Sequence, residues 1–119
     1  MSEVTIHHNP ACSNSRGALA LIRERGIEPR IVEYLETPLT RDELRALVAR
    51  VGLPVRELMR TKEPAYAGLG LDDPALDEDA LVAAIAAHPI LLNRPIVVTA
   101  RGARLCRPPE RVLEILPPA

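Results

Sequence analysis

Two short β-branched stretches, EVTIHH (3–8) and RIVEYL (30–35), flank a single helical stretch, and this spacing constrains the fold more than any other feature. From Ser13 to Arg25 apolar residues, among them Ala18, Leu19 and Ile22, recur with a helical period, and Gly26 supplies a stop just past the end. Each flanking stretch predicts a strand. A helix between two strands must cross over, so the strands run parallel and the connection is right-handed.

The middle of the chain changes character. Thr40-x-x-Glu43 is a capping box, in which hydroxyl and carboxylate satisfy the first free amides of a helix. Leu44, Leu47, Val48 and Val51 carry that helix to Gly52, and Pro54 opens a further helical turn through Val55, Leu58 and Met59. Residues 61–76, rich in Gly, Pro and Asp, read as turns. Asp77 caps a third helix running to about His88, so residues 40–92 read as a helical insertion. Ile96–Thr99 and Ala103–Cys106 then form an antiparallel hairpin around Arg101-Gly102, and Pro109 starts a short final helix through Arg111–Leu116. The order β-α-β, helices, β-β-α is that of an α/β, thioredoxin-like fold: a mixed four-stranded sheet with a helical insertion. No repeat or linker breaks the chain, so residues 1–119 read as a single domain.

Composition narrows the function classes. The chain has 15 basic and 16 acidic residues, a net charge of −1, which removes the electrostatic case for a nucleic-acid partner. There is no Phe or Trp, and Tyr34 and Tyr66 are the only aromatic residues. The core must be aliphatic, and no base-stacking platform is available. The longest apolar stretch, LVAAIAA (81–87), is too short to span a bilayer, and MSEVTIHHNP lacks the pattern of a secretory signal. The expectation is a cytoplasmic monomer whose thiols stay reduced. Cys12, Cys106, His7, His8 and His88 lack paired-ligand spacing, so no metal is expected.

The chemistry concentrates in HNPACSNSR (8–16), at the carboxyl end of the first strand and the start of the first helix. At an unperturbed pKa of ~8.5 only about 3% of a thiol is ionised at neutral pH. A helix N-terminus or neighbouring cations lower that pKa and make the thiol a nucleophile. The amides of residues 13–16, the Ser13 and Ser15 hydroxyls, His8 and Arg16 are the candidates for stabilising a Cys12 thiolate, with Asn9 bonding inside the loop. Cys12 as a small buried residue at a tight turn is the alternative. A phosphatase loop needs Cys-x5-Arg, whereas only three residues separate Cys12 from Arg16; a dithiol needs Cys-x-x-Cys, and Ser15 holds the second position. Any disulfide or adduct on Cys12 must therefore be resolved by a thiol from elsewhere.

HNPACSNSR, YLETP (34–38), VRELMRTKEP (55–64), HPILLNRPIVV (88–98) and RLCRPPE (104–110) together resemble the glutaredoxin-coupled arsenate reductases, the ArsC family. His7 stands where many members have Tyr, a departure outside the core motif, while RPPE and the ending at Pro117-Pro118-Ala119 resemble the family's short chromosomal type. The resemblance implies that Cys12 attacks arsenate, that Arg60, Arg94 and Arg107 surround the oxyanion, and that His8 assists the thiolate. It also implies a cis Pro95 facing the nucleophile loop, and glutathione and glutaredoxin as co-substrate and partner, with no tightly bound cofactor. Cys106 is expected to pack on the last strand. A glutathione-linked thiol oxidoreductase with another substrate is the nearest alternative. A redox regulator binding RNA polymerase fits less well, because Ser15 removes the second thiol of the usual switch.

Overall fold

Strands form where β-branched residues alternate into a core, and the computed structural model, which describes residues 4–117, has four of them. They are β1 (Thr5–His8), β2 (Arg30–Glu33), β3 (Ile96–Thr99) and β4 (Gly102–Leu105), in the sheet order β2-β1-β3-β4. β1 and β2 are parallel, with α1 (Ser13–Glu24) as the crossover. β3 runs antiparallel to both β1 and β4. The mixed sheet therefore has the expected directions. The described residues divide into two compact units, one made of residues 4–37 and 94–117, the other of Pro38–Asn93.

In the first unit Val4, just before β1, and Ile6 and Val97 of the sheet pack with Ala18 and Ile22 of α1 and with Val112, Ile115 and Leu116. All are aliphatic, as the lack of Phe and Trp requires. The chain's end is a 3-10 helix, Pro109–Glu114, rather than the helix expected at Arg111–Leu116. It lies so close to α1 that a Cβ on Gly17 would meet Pro109 Cγ at 2.9 Å. β2 stops at Glu33, and Tyr34 and Leu35 belong to the turn that follows. β4 lies one residue earlier than expected, because Gly102 takes φ 146° and still pairs with Thr99.

In the second unit α2 (Arg41–Val51) starts on the Thr40–Glu43 capping box and ends on Gly52, whose φ of 77° is left-handed. A 3-10 turn at Val55–Leu58 and α4 (Glu78–Ala87), capped by Asp77, complete the elements read from the sequence. The segment expected to be all turns holds a short helix, α3 (Pro64–Gly68). Proline at its first turn needs no hydrogen-bond donor there, and Tyr66 is buried. Arg56 then ties the segment down, donating to the Tyr66 hydroxyl at 2.7 Å and the Leu71 carbonyl at 2.6 Å. No helix among the described residues is long and apolar enough to cross a membrane.

Candidate active site

Asn9 closes the loop between β1 and α1. Its carbonyl accepts the Cys12 N–H and its Oδ1 accepts the Ala11 N–H, each at 3.0 Å. This tight turn leaves Cys12 as the N-cap of α1, in extended conformation. Arg16 N–H donates to the Cys12 carbonyl at 3.0 Å and the Arg16 guanidinium to the Pro10 carbonyl at 2.8 Å, so Arg16 braces the loop rather than facing the sulfur.

The sheet register supplies the cations. His7 on β1 pairs with Ile96, and Ile96 pairs with Leu105. The end of β1, the start of β3 and the end of β4 therefore share one edge of the sheet. Arg94 and Pro95 enter β3 there, and Cys106 and Arg107 leave β4 there, joined by the Cys106 N–H on the Pro95 carbonyl at 2.9 Å. The Arg94–Pro95 and Arg107–Pro108 bonds are both cis. Arg107 Nη1 donates to the Arg94 carbonyl at 3.0 Å and lies 3.9 Å from Cys12 Sγ.

Four groups act on that sulfur against its burial. Burial alone pushes the Cys12 thiol up, but the Ser15 N–H, the Arg94 charge, the Asn14 N–H and the Arg107 charge outweigh it. The thiol therefore ionises below its ordinary value, and the helix amides and two arginines are the cause. The expectation that the Ser13 and Ser15 hydroxyls would serve as donors needs correcting for Ser15. Its side chain is fully buried and bonds His8 Nδ1 at 2.7 Å and the Asn9 N–H at 3.0 Å. Its contribution at the sulfur comes from the backbone. Ser13 is exposed at the first position of α1. His8 is buried at the end of β1 and bonds Ser15 rather than the sulfur. No sequence signal distinguishes a serine whose hydroxyl faces the thiol from one whose amide does.

Arg60 lies in the Pro38–Asn93 unit, after the Val55–Leu58 turn. Its backbone N–H donates to Leu91 and its guanidinium pairs with Glu63 at 3.4 Å. Cys106 is fully buried, and burial pushes its thiol up to about 12, as suits a packing residue. Among the described residues no group of three or more His, Cys, Asp or Glu side chains is placed to hold a metal.

The comparisons agree with this architecture. The arsenate reductase of Escherichia coli (strain K12) is 56% identical over 119 residues, which cover 100% of this chain and 84% of that protein. An uncharacterised protein of the same organism is 50% identical over 115 residues, 96% of this chain and 97% of that one. The solved structure of the arsenate reductase from Vibrio cholerae matches with a TM-score of 0.93 at 52% identity, covering 96% of this chain and 98% of the other. The ArsC family profile matches residues 7–115, and the chain belongs to the ArsC family.

Proposed function

We propose that this chain reduces arsenate to arsenite, with Cys12 as the nucleophile and Arg60, Arg94 and Arg107 as the cations that receive the oxyanion. The observation that carries the reading is the placement of the Cys12 sulfur, on the first amides of α1 with Arg107 Nη1 at 3.9 Å. Arsenate is anionic at neutral pH, so attack by a thiolate brings like charges together. Such a step is fast only where fixed donors and cations offset the repulsion. Arginine suits the task because it stays charged and donates two parallel hydrogen bonds to an oxyanion. The place of Arg60 in this set rests on the family resemblance.

The reading includes glutathione and glutaredoxin as electron donors, no tightly bound cofactor, and a cytoplasmic monomer whose 119 residues work as one domain. The Cys12 sulfur bonds arsenic and one arsenate oxygen leaves as water. The glutathione thiol displaces a second oxygen, also as water. A glutaredoxin thiolate then attacks the glutathione sulfur, and the electron pair of the broken sulfur–arsenic bond stays on arsenic, reducing As(V) to As(III). Hydrolysis of the Cys12–arsenic bond releases arsenite and restores the thiol. Both electrons come from the two donor thiols, which end as a mixed disulfide. Ser15 in the second position of the Cys-x-x-Ser loop supports this route, since Cys12 has no neighbour with which to form its own disulfide.

The test is NADPH oxidation coupled through glutathione reductase, with arsenate, glutathione and glutaredoxin present. Turnover should need all three and should fall on the order of a thousandfold or more in Cys12→Ser. A flat trace from folded protein with a reactive Cys12 would turn the reading toward a glutathione-linked oxidoreductase acting on another substrate.

A further inference from the structure

Every hydrogen of the Ser15 hydroxyl network can be assigned from the distances. Ser15 Oγ accepts the Asn9 backbone N–H at 3.0 Å, and that group can only donate. The Ser15 hydroxyl carries one hydrogen and is fully buried, and its other neighbour is His8 Nδ1 at 2.7 Å. Were Nδ1 protonated, both nitrogens would donate to Oγ and the hydroxyl hydrogen would be buried without an acceptor. Buried polar hydrogens find acceptors, so the hydroxyl donates to a bare Nδ1. The chain of bonds runs Asn9 N–H to Ser15 Oγ–H to His8 Nδ1.

We propose that His8 acts as a neutral imidazole, protonated on Nε2, whose bare Nδ1 locks Ser15 and thereby the first turn of α1 under Cys12. It is a positioning residue that works through Ser15, not a cation paired with the thiolate. The inference rests on the reading of Cys12 as nucleophile and adds how its amides are held. The same residue that anchors the turn to β1 through its side chain presents one of the N–H groups that lower the thiol's pKa. The surroundings of His8 agree. Its burial disfavours the charged ring, Glu33 on β2 pulls toward protonation, and Arg23 and Arg16 on α1 oppose it, with the balance below the ordinary value.

The deciding experiment needs no arsenate, so it stands or falls separately from the assay above. Long-range proton–nitrogen correlation spectra of the 15N-labelled chain at pH 7 should find His8 neutral in the Nε2–H form. A doubly protonated ring, or the Nδ1–H form, would overturn the proposal on the wild-type protein alone. Variants add a second reading, through the pH dependence of Cys12 alkylation. His8→Asn, whose Oδ1 stands where Nδ1 stood, should keep the midpoint near wild type. His8→Ala should raise it by about one unit, a tenfold loss of thiolate at pH values below the midpoint. An Asn variant as impaired as the Ala variant would show that the ring's charge, not its acceptor, is what matters.

Discussion

Cys12 and Cys106 are both buried, both unpaired with another sulfur, and both set among arginines, yet their chemistry is opposite. Burial raises both thiols. At Cys106 burial wins: the Arg111 and Arg104 charges and the Val97 N–H pull the thiol down too little, because both arginines are ion-paired with Glu114, at 3.9 and 3.2 Å, and Glu114 pushes the thiol up in turn. At Cys12 the Ser15 N–H leads, followed by the Arg94 charge, the Asn14 N–H and the Arg107 charge, and together they outweigh burial; Arg107 gives its hydrogen bond to the neutral Arg94 carbonyl rather than to a carboxylate. An arginine nearby does not activate a thiol. An arginine whose charge is not already answered by a carboxylate does, especially at a helix N-terminus.

Breaking the comparison at its strong end means removing Arg107. Arg107→Ala should lower arsenate turnover about a hundredfold, in the range seen when one preorganised donor is lost, and raise the Cys12 midpoint. Steady-state kinetics and alkylation against pH check both halves. Next comes the support behind it. Gly17→Ala places a methyl 2.9 Å from the Pro109 ring, which is too rigid to yield, so α1 and the segment after Arg107 must separate. Denaturant melts should give a loss of about 1–3 kcal/mol, with Cys12 reactivity reduced as Arg107 moves off.

The two thiols also oppose each other in the pH dependence of stability. The Cys12 pKa is depressed in the fold, so its contribution is present above the unfolded thiol value of ~8.5 and is lost as pH falls through the folded value. The Cys106 pKa is raised, so its contribution is complete below ~8.5 and is lost as pH climbs toward about 12. Subtracting Cys12→Ser melts from wild type should give a difference that rises with pH up to ~8.5. The Cys106→Ala difference should fall above it, each slope approaching about one proton. The smallest effect is the sharpest control. Glu114→Gln frees Arg104 and Arg111 and should lower the Cys106 midpoint, while the buried thiol stays unreactive in the folded protein.

Much of this was legible in the residues because local rules carried it. The parallel β1–α1–β2 unit follows from one helix length between two β-branched stretches, and Thr40 with Glu43 marks the start of α2 at the residue observed. The position of Cys12 at a helix N-terminus follows from the same spacing. What escaped depends on tertiary context. Pro64–Gly68 looks like a turn until Tyr66 is buried and Arg56 grips the segment. Among the cations only Lys62 is not arginine, and composition cannot say which arginine meets the sulfur. That choice is made by the strand register, which brings the residues before β3 and after β4 to the end of β1. The Ser15 hydroxyl escaped for a related reason: its partner, His8, lies seven residues back across a loop whose shape Asn9 sets.

The most direct test of the central claim is alkylation of the folded chain at pH 7 under limiting iodoacetamide, with each cysteine followed by mass spectrometry, with and without arsenate. Cys12 should be modified first, Cys106 should be left intact until the protein unfolds, and arsenate should slow the Cys12 reaction. Modification of Cys106 at a comparable rate, or a Cys12 rate indifferent to arsenate, would contradict it.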